Sequence, residues 1–183
     1  MSRVSSFLSL FLFSSLLFST HSQPLIHGTC ELCSQQDPVV NYHFCTSSLE
    51  SASGSRHTDI QGLGKISIKL THNNLTDTRS HIKRLLKNDQ NSYIKMRLED
   101  CLELYSDAIV DIKRALKSYK LERYNEANIL LSSVMDDATT CENGFQEKRN
   151  AVSPLTRRNN GTFELSAIGL SIIHILQLGD YLS

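Results

Sequence analysis

The sequence predicts an all-α protein, an up-and-down four-helix bundle preceded by a smaller α-hairpin. Three observations predict it. Apolar residues recur at steps of three and four through most of the chain, only three prolines interrupt its 183 residues, and four of the five cysteines fall where neighbouring helices would bring them level. A 3.6-residue period places each apolar set on one stripe of a helix, and that stripe has to be buried against another helix. Scarcity of proline removes the commonest breaker of long helices.

The first residues point to secretion. Arg3 precedes an apolar run from Phe7 to Phe18, followed by small residues at Thr20 and Ser22. This is the pattern of a signal peptide, residues 1–22, and the run is too short to span a membrane. Residues 23–183 are then one domain, with 23–57 as the α-hairpin and linker and 58–183 as the bundle. An extracellular setting lets disulfides persist.

Taken in order, Ile26, Cys30 and Cys33 lie at helical spacing and predict a first short helix. Asp37 before Pro38 reads as the cap of a second, carrying Val40, Phe44, Cys45 and Leu49. Cys30 and Cys45 flank the turn and can tie this hairpin. Residues 51–57 are a linker by composition. A long helix follows from Thr58 to about Lys87, with Leu63, Ile66, Leu70 and Leu85 on one side, although Gly62 and Gly64 weaken its start.

Residues 91–148 read as the central hairpin. Leu98, Leu102, Tyr105, Ile109, Ile112 and Leu116 form one stripe; Ala127, Leu130, Val134, Ala138, Cys141 and Phe145 form the other. The polar break at Lys120, Glu122 and Arg123 separates them. Cys101 and Cys141 lie roughly 20 residues, or about 30 Å of helix, from that break, so an antiparallel pair brings the sulfurs level. Such a bridge would stabilise by about 4 kcal/mol in the chain-entropy model. After a polar loop through Arg157, Asn160 and Gly161, a last helix from about Thr162 to Leu178 carries Leu165, Ile168, Ile172, Ile175 and Leu176 inward. Its polar interruptions at Glu164, His174 and Asp180 favour a bundle helix over a membrane anchor.

The chain carries 19 basic and 19 acidic side chains, so nothing suggests a nucleic-acid binder. No zinc, P-loop or nucleophile-elbow motif occurs and the histidines are scattered, so no catalytic, metal or cofactor site is expected. Cys30-x-x-Cys33 lacks the βαβ setting of a redox motif and reads as structural. Cys33 is left as a buried free thiol, with exchange between Cys30 and Cys33 as partners of Cys45 still open. Two sequons occur, at Asn74 and Asn160. Asn160 sits in the polar loop and is the better glycan acceptor; Asn74 falls on the packing side of its helix. Asp100, Glu103, Asp107 and Asp111 form an acidic row on the outer face of the helix after Asn91. The row is either a solvated face or, with Arg123 and Tyr124 at the hairpin tip, a contact surface for a partner protein.

The chain resembles the plant invertase/pectin methylesterase inhibitors, nearest to members that include pollen allergens. The likeness rests on Gly28-Thr29-Cys30, the run from Pro38 to Cys45, Asp59 to Gly64, Cys101 to Tyr105, Asp136 to Phe145, and Val152-Ser153-Pro154. It extends from about residue 24 to 178. The resemblance implies a non-catalytic, secreted protein of the apoplast and cell wall, tied by Cys30–Cys45 and Cys101–Cys141, with pectin methylesterase or acid invertase as partner. It implies no cofactor. Invertase inhibitors that the chain resembles carry Pro-Lys-Phe at the start of the third bundle helix; Leu121 to Asn125 stand there without it.

Overall fold

A computed structural model describes residues 22–88 and 91–182. The expected signal peptide lies outside them, apart from Ser22. The described residues form six α-helices: α1 (Ser22–Gln36), α2 (Tyr42–Ser51), α3 (Ile60–Asn88), α4 (Ser92–Lys120), α5 (Tyr124–Gln146) and α6 (Thr156–Leu182). No strand occurs among the described residues. Helix α4 packs on α3 and α5, and α6 packs on the same two, so α4 and α6 occupy diagonal corners of an up-and-down bundle. The hairpin α1–α2 covers one side of α3 and α6.

The bridge Cys30–Cys45 joins α1 to α2 with a Cα–Cα distance of 5.7 Å. Cys101–Cys141 joins α4 to α5 at 5.0 Å. Cys33 is a free thiol, fully buried beside Ile26, Leu49, Leu63 and Ile168. Burial, with Asp37 adding to it, pushes this thiol up to about 12, so it behaves as a small apolar side chain.

Three local expectations shift. Asp37 does not cap α2: its carboxylate accepts the Val39 N–H in a tight turn, and Asn41 is the cap, accepting from Phe44 N–H at 2.9 Å. Val40, just outside that cap, is buried in the same cluster as Cys45, the arrangement of a hydrophobic staple. The linker is not wholly irregular, since Ser55–His57 form a 3₁₀ turn. The last helix begins at Thr156 rather than Thr162, so Asn160 lies on a helix and not in a loop.

The core-facing stripe of α3 is Leu63, Ile68, Leu75 and Ile82 interleaved with buried Ser67, Thr71 and Thr78; Ile66, Leu70 and Leu85 sit at its margins. Gly64 is required there, because a Cβ would stand 2.1 Å from the Tyr119 hydroxyl oxygen. Buried hydroxyls and amides are tolerated because they satisfy one another across the bundle. The Tyr105 hydroxyl of α4 donates to Asn159 Oδ1 at 2.6 Å, and Asn159 Nδ2 donates to Glu142 Oε2 at 2.6 Å. The Thr162 hydroxyl donates to Asn74 Oδ1 of α3 at 2.8 Å. Burial pushes the Tyr105 phenol up to about 12, which keeps it a donor. Helix α6 is apolar enough from Thr156 to Gly179 to cross a membrane by length and composition alone. Its position accounts for that: α3 and α5 flank its inner side, and the α1–α2 hairpin covers Ile168 and Ile172.

Candidate functional site: an acidic groove between α4 and α5

Asn91 starts α4 by accepting the Tyr93 and Ile94 N–H groups, which sets the rotation of the helix. Leu98, Cys101, Tyr105, Ala108 and Ile112 then face inward, and the intervening acids face out. Glu103 and Asp107 are exposed, and Asp111 is partly covered by α5. With the neighbouring wall of α5, Glu103 and Asp107 border an open groove of about 470 Å³, reaching from Arg97 past Asp100 to Asn143 and Glu147. Charged side chains from Arg97 to Asp107 line its α4 wall, which suits a protein surface better than an apolar ligand.

Charges are paired at both ends of the row and unpaired in the middle. Arg97 bridges Asp100 at 3.2 Å and Glu147 at 3.4 Å, while lying over the Tyr93 ring. At the other end Asp111 pairs with Arg114 at 3.1 Å and accepts from Ser133 of α5 at 3.3 Å. Between them, neither Glu103 nor Asp107 forms an ion pair among the described residues. Asp137 of α5 joins this middle section. Burial, then Asp111, Asp107 and Asp136, push its carboxyl up to about 6.

Sequence reasoning missed Asp137, although a signal existed. In an antiparallel pair bridged at Cys101 and Cys141, the residue four before Cys141 is level with the residue four after Cys101. Asp137 therefore stands level with Tyr105, between Glu103 and Asp107. An acidic row defined along one helix could not include it; the register set by the bridge does.

The hairpin tip has a different character. Helix α4 ends in a Schellman turn, with Arg123 N–H donating to Ser118 O, Glu122 N–H to Tyr119 O, and Glu122 at φ +58°. Arg123 is exposed and pairs with Glu126 at 3.8 Å. Tyr124 is not a surface residue. It is only 9% exposed, its ring meets Tyr119 edge-on at 5.5 Å, and its hydroxyl accepts from Gln61 Nε2 at 3.0 Å. The Tyr119 hydroxyl in turn donates to the Gln61 carbonyl at 2.8 Å. These tyrosines lock the tip to the start of α3, so the expected contact pair is reduced to Arg123. Among the described residues no group of three His, Cys, Asp or Glu side chains is placed to hold a metal ion.

The family model of the plant invertase/pectin methylesterase inhibitors matches residues 25–172. The chain belongs to this family. It is 38% identical over 176 residues to a Platanus acerifolia protein named "Putative invertase inhibitor", covering 95% of this chain and 98% of that one. It is 30% identical over 173 residues to the "Pectinesterase inhibitor" of Actinidia deliciosa, covering 94% of each. A crystal structure of a mutant pectin methylesterase inhibitor from Arabidopsis superposes with a TM-score of 0.67 at 20% identity, over 78% of this chain and 96% of that chain. That likeness carries the fold, an all-α helical bundle.

Proposed function

We propose that the mature chain is a secreted, stoichiometric inhibitor that docks its α4/α5 acidic face on a cell-wall carbohydrate enzyme, pectin methylesterase before acid invertase. The observation that carries this is the middle of the acidic row, where Glu103 and Asp107 form no ion pair and Asp107 faces the Asp137 carboxyl of α5. Unneutralised carboxylates on a cross-linked helix pair make a rigid, negatively charged face that attracts a basic rim on a partner and suppresses neutral or acidic ones. The two bridges and the Tyr105–Asn159–Glu142 chain pre-order the bundle, so little conformational entropy is lost on docking. Inhibition is then steric, with a helix face covering the substrate cleft.

The tip supports the choice of enzyme. Tyr124 is committed to Tyr119 and Gln61, and the segment lacks Pro-Lys-Phe, so insertion of this tip into an invertase active site has little to offer. Acid invertase remains the second reading, favoured by the names of the Platanus relatives.

Titration of the refolded mature chain against both enzymes tests the proposal. Pectin methylesterase activity is expected to fall linearly to an end point at one inhibitor per enzyme. Glu103→Lys with Asp107→Lys is expected to weaken inhibition at least about tenfold without lowering the melting temperature, since both side chains are exposed and Asp107 only repels Asp137. Undiminished activity of both enzymes would reject the reading, and so would full potency of the charge-reversed variant.

A further inference from the structure

We infer that the folded, secreted protein carries an N-linked oligosaccharide at Asn160 and none at Asn74. The inference rests on the secretory route proposed above and on no assumption about the enzyme partner. Transfer joins the side-chain amide nitrogen to the anomeric carbon of an oligosaccharide held on a lipid diphosphate. The carbon–oxygen bond to the donor breaks, the lipid diphosphate leaves, and the amide gives up one proton. The modified nitrogen must then stay in solvent once the chain has folded.

At Asn74 it cannot. Oδ1 of Asn74 accepts the Thr162 hydroxyl at 2.8 Å and the Thr78 hydroxyl at 3.3 Å. That fixes the planar amide and turns Nδ2 towards α6, where it lies 2.9 Å from the place a Cβ on Gly161 would take. Even one methyl carbon would crowd that nitrogen, which explains a glycine at 161 inside a helix. A sugar on Nδ2 would have to grow past Gly161 of α6. A chain modified at Asn74 therefore seats α6 on α3 less well, at the expense of the burial of Thr162, Leu165 and Ile168 beside it.

Asn160 is placed differently. It is exposed on α6, while its neighbours Asn159 and Thr162 are buried. Thr162 thus serves twice. In the unfolded chain its hydroxyl completes the Asn160-Gly161-Thr162 sequon, and in the folded chain it holds Asn74. Once α6 has docked, the sequon hydroxyl is inaccessible, so the modification precedes folding and the sugar remains outside. Helix α6 is diagonal to α4, so the oligosaccharide stands away from the acidic row.

The test is to secrete the full chain from yeast and map its glycopeptides before and after N-glycosidase treatment, beside Asn160→Gln and Thr76→Ala. Thr76 is exposed, and its replacement removes only the other sequon. One oligosaccharide on the wild-type protein at Asn160, none on Asn160→Gln, and an unchanged single occupancy on Thr76→Ala are expected. Sugar on Asn74 of the secreted protein would overturn the inference, as would an unmodified Asn160. Inhibition assayed on the same samples reads separately: an active inhibitor without sugar fails this inference alone, and a glycosylated protein without inhibition fails only the proposed function.

Discussion

Replacing Asp137 by Asn should make the protein more stable at neutral pH, and the structure gives the size of the effect. The carboxyl is raised from 3.8 to about 6 by burial and by Asp111, Asp107 and Asp136. That is roughly a hundredfold change in proton affinity, nominally about 3 kcal/mol of differential interaction. The side chain is only half-buried, so solvent screening reduces the expected effect to about 1 kcal/mol. The sign follows from linkage. The folded state holds this proton more tightly than the unfolded chain, so the stabilisation is complete below about pH 3.8 and is lost as pH rises through about 6. Wild-type protein therefore carries a repulsive carboxylate at pH 7 that the amide variant does not.

Urea unfolding of both proteins at pH 3.5 and pH 7 reads this directly. The variant should gain about 1 kcal/mol, or about 2–4 °C in melting temperature, at pH 7 and almost nothing at pH 3.5. An equal gap at both values would mean that packing and not charge is responsible. No gap at pH 7 would mean that Asp137 is not in electrostatic contact with the α4 row.

Three further outcomes follow from single contacts. Cys101→Ser with Cys141→Ser should cost about 4 kcal/mol, from the 40-residue separation of the bridge, measured as a lower urea midpoint for the non-reduced protein. Tyr105→Phe should cost about 1–3 kcal/mol, because it leaves Asn159 Oδ1 buried without its donor; the check is thermal unfolding beside Asn159→Ala, whose effect should not add to it in full. Glu122→Gly should stabilise by up to about 1 kcal/mol, since Glu122 holds φ +58° in the Schellman turn; a loss of stability would instead assign the larger role to its contact with Gln61.

How much was legible varies with the kind of burial. The inward stripe of α5, from Ala127 to Phe145, is buried as its spacing requires, because every member is apolar and the helix packs on both flanks. The bridges were legible for the same reason, since their positions follow from helix length and the place of the turn. Helix α3 is the contrast: Ser67, Thr71 and Thr78 belong to its core face, and no apolar period can reveal polar residues satisfied by the Leu165 carbonyl 98 residues on, for Ser67, or by Ser67 and Asn74 of the same helix, for Thr71 and Thr78. The start of α6 was hidden likewise, for Arg157 to Gly161 reads as a loop until Glu142 and Tyr105 are there to receive Asn159. Tyr124 at the tip looked like a surface aromatic, and only the approach of Gln61 and Tyr119 buries it.

The acidic groove poses a different question: why a bundle that leaves only Ser166 Oγ, Arg79 Nε and Arg97 Nε unpartnered among the buried side-chain atoms of its described residues keeps like charges together outside. Every internal polar chain described above closes on a partner, down to the Thr156 and Asn159 donors that occupy both oxygens of Glu142. Asp137 is instead held among carboxylates that lower the stability of the folded state at neutral pH, with Arg97 and Arg114 engaged at the ends of the row and not at its centre. A lysine or an amide at position 137 would relieve the repulsion without touching the core. Self-repulsion at an exposed face fits the proposed contact surface, whose stabilising partner lies outside the chain. If that partner is the basic rim of an enzyme, Asp137→Asn must separate two properties, raising stability in the free protein while weakening inhibition. A variant that gained in both would remove the reason for placing the contact here.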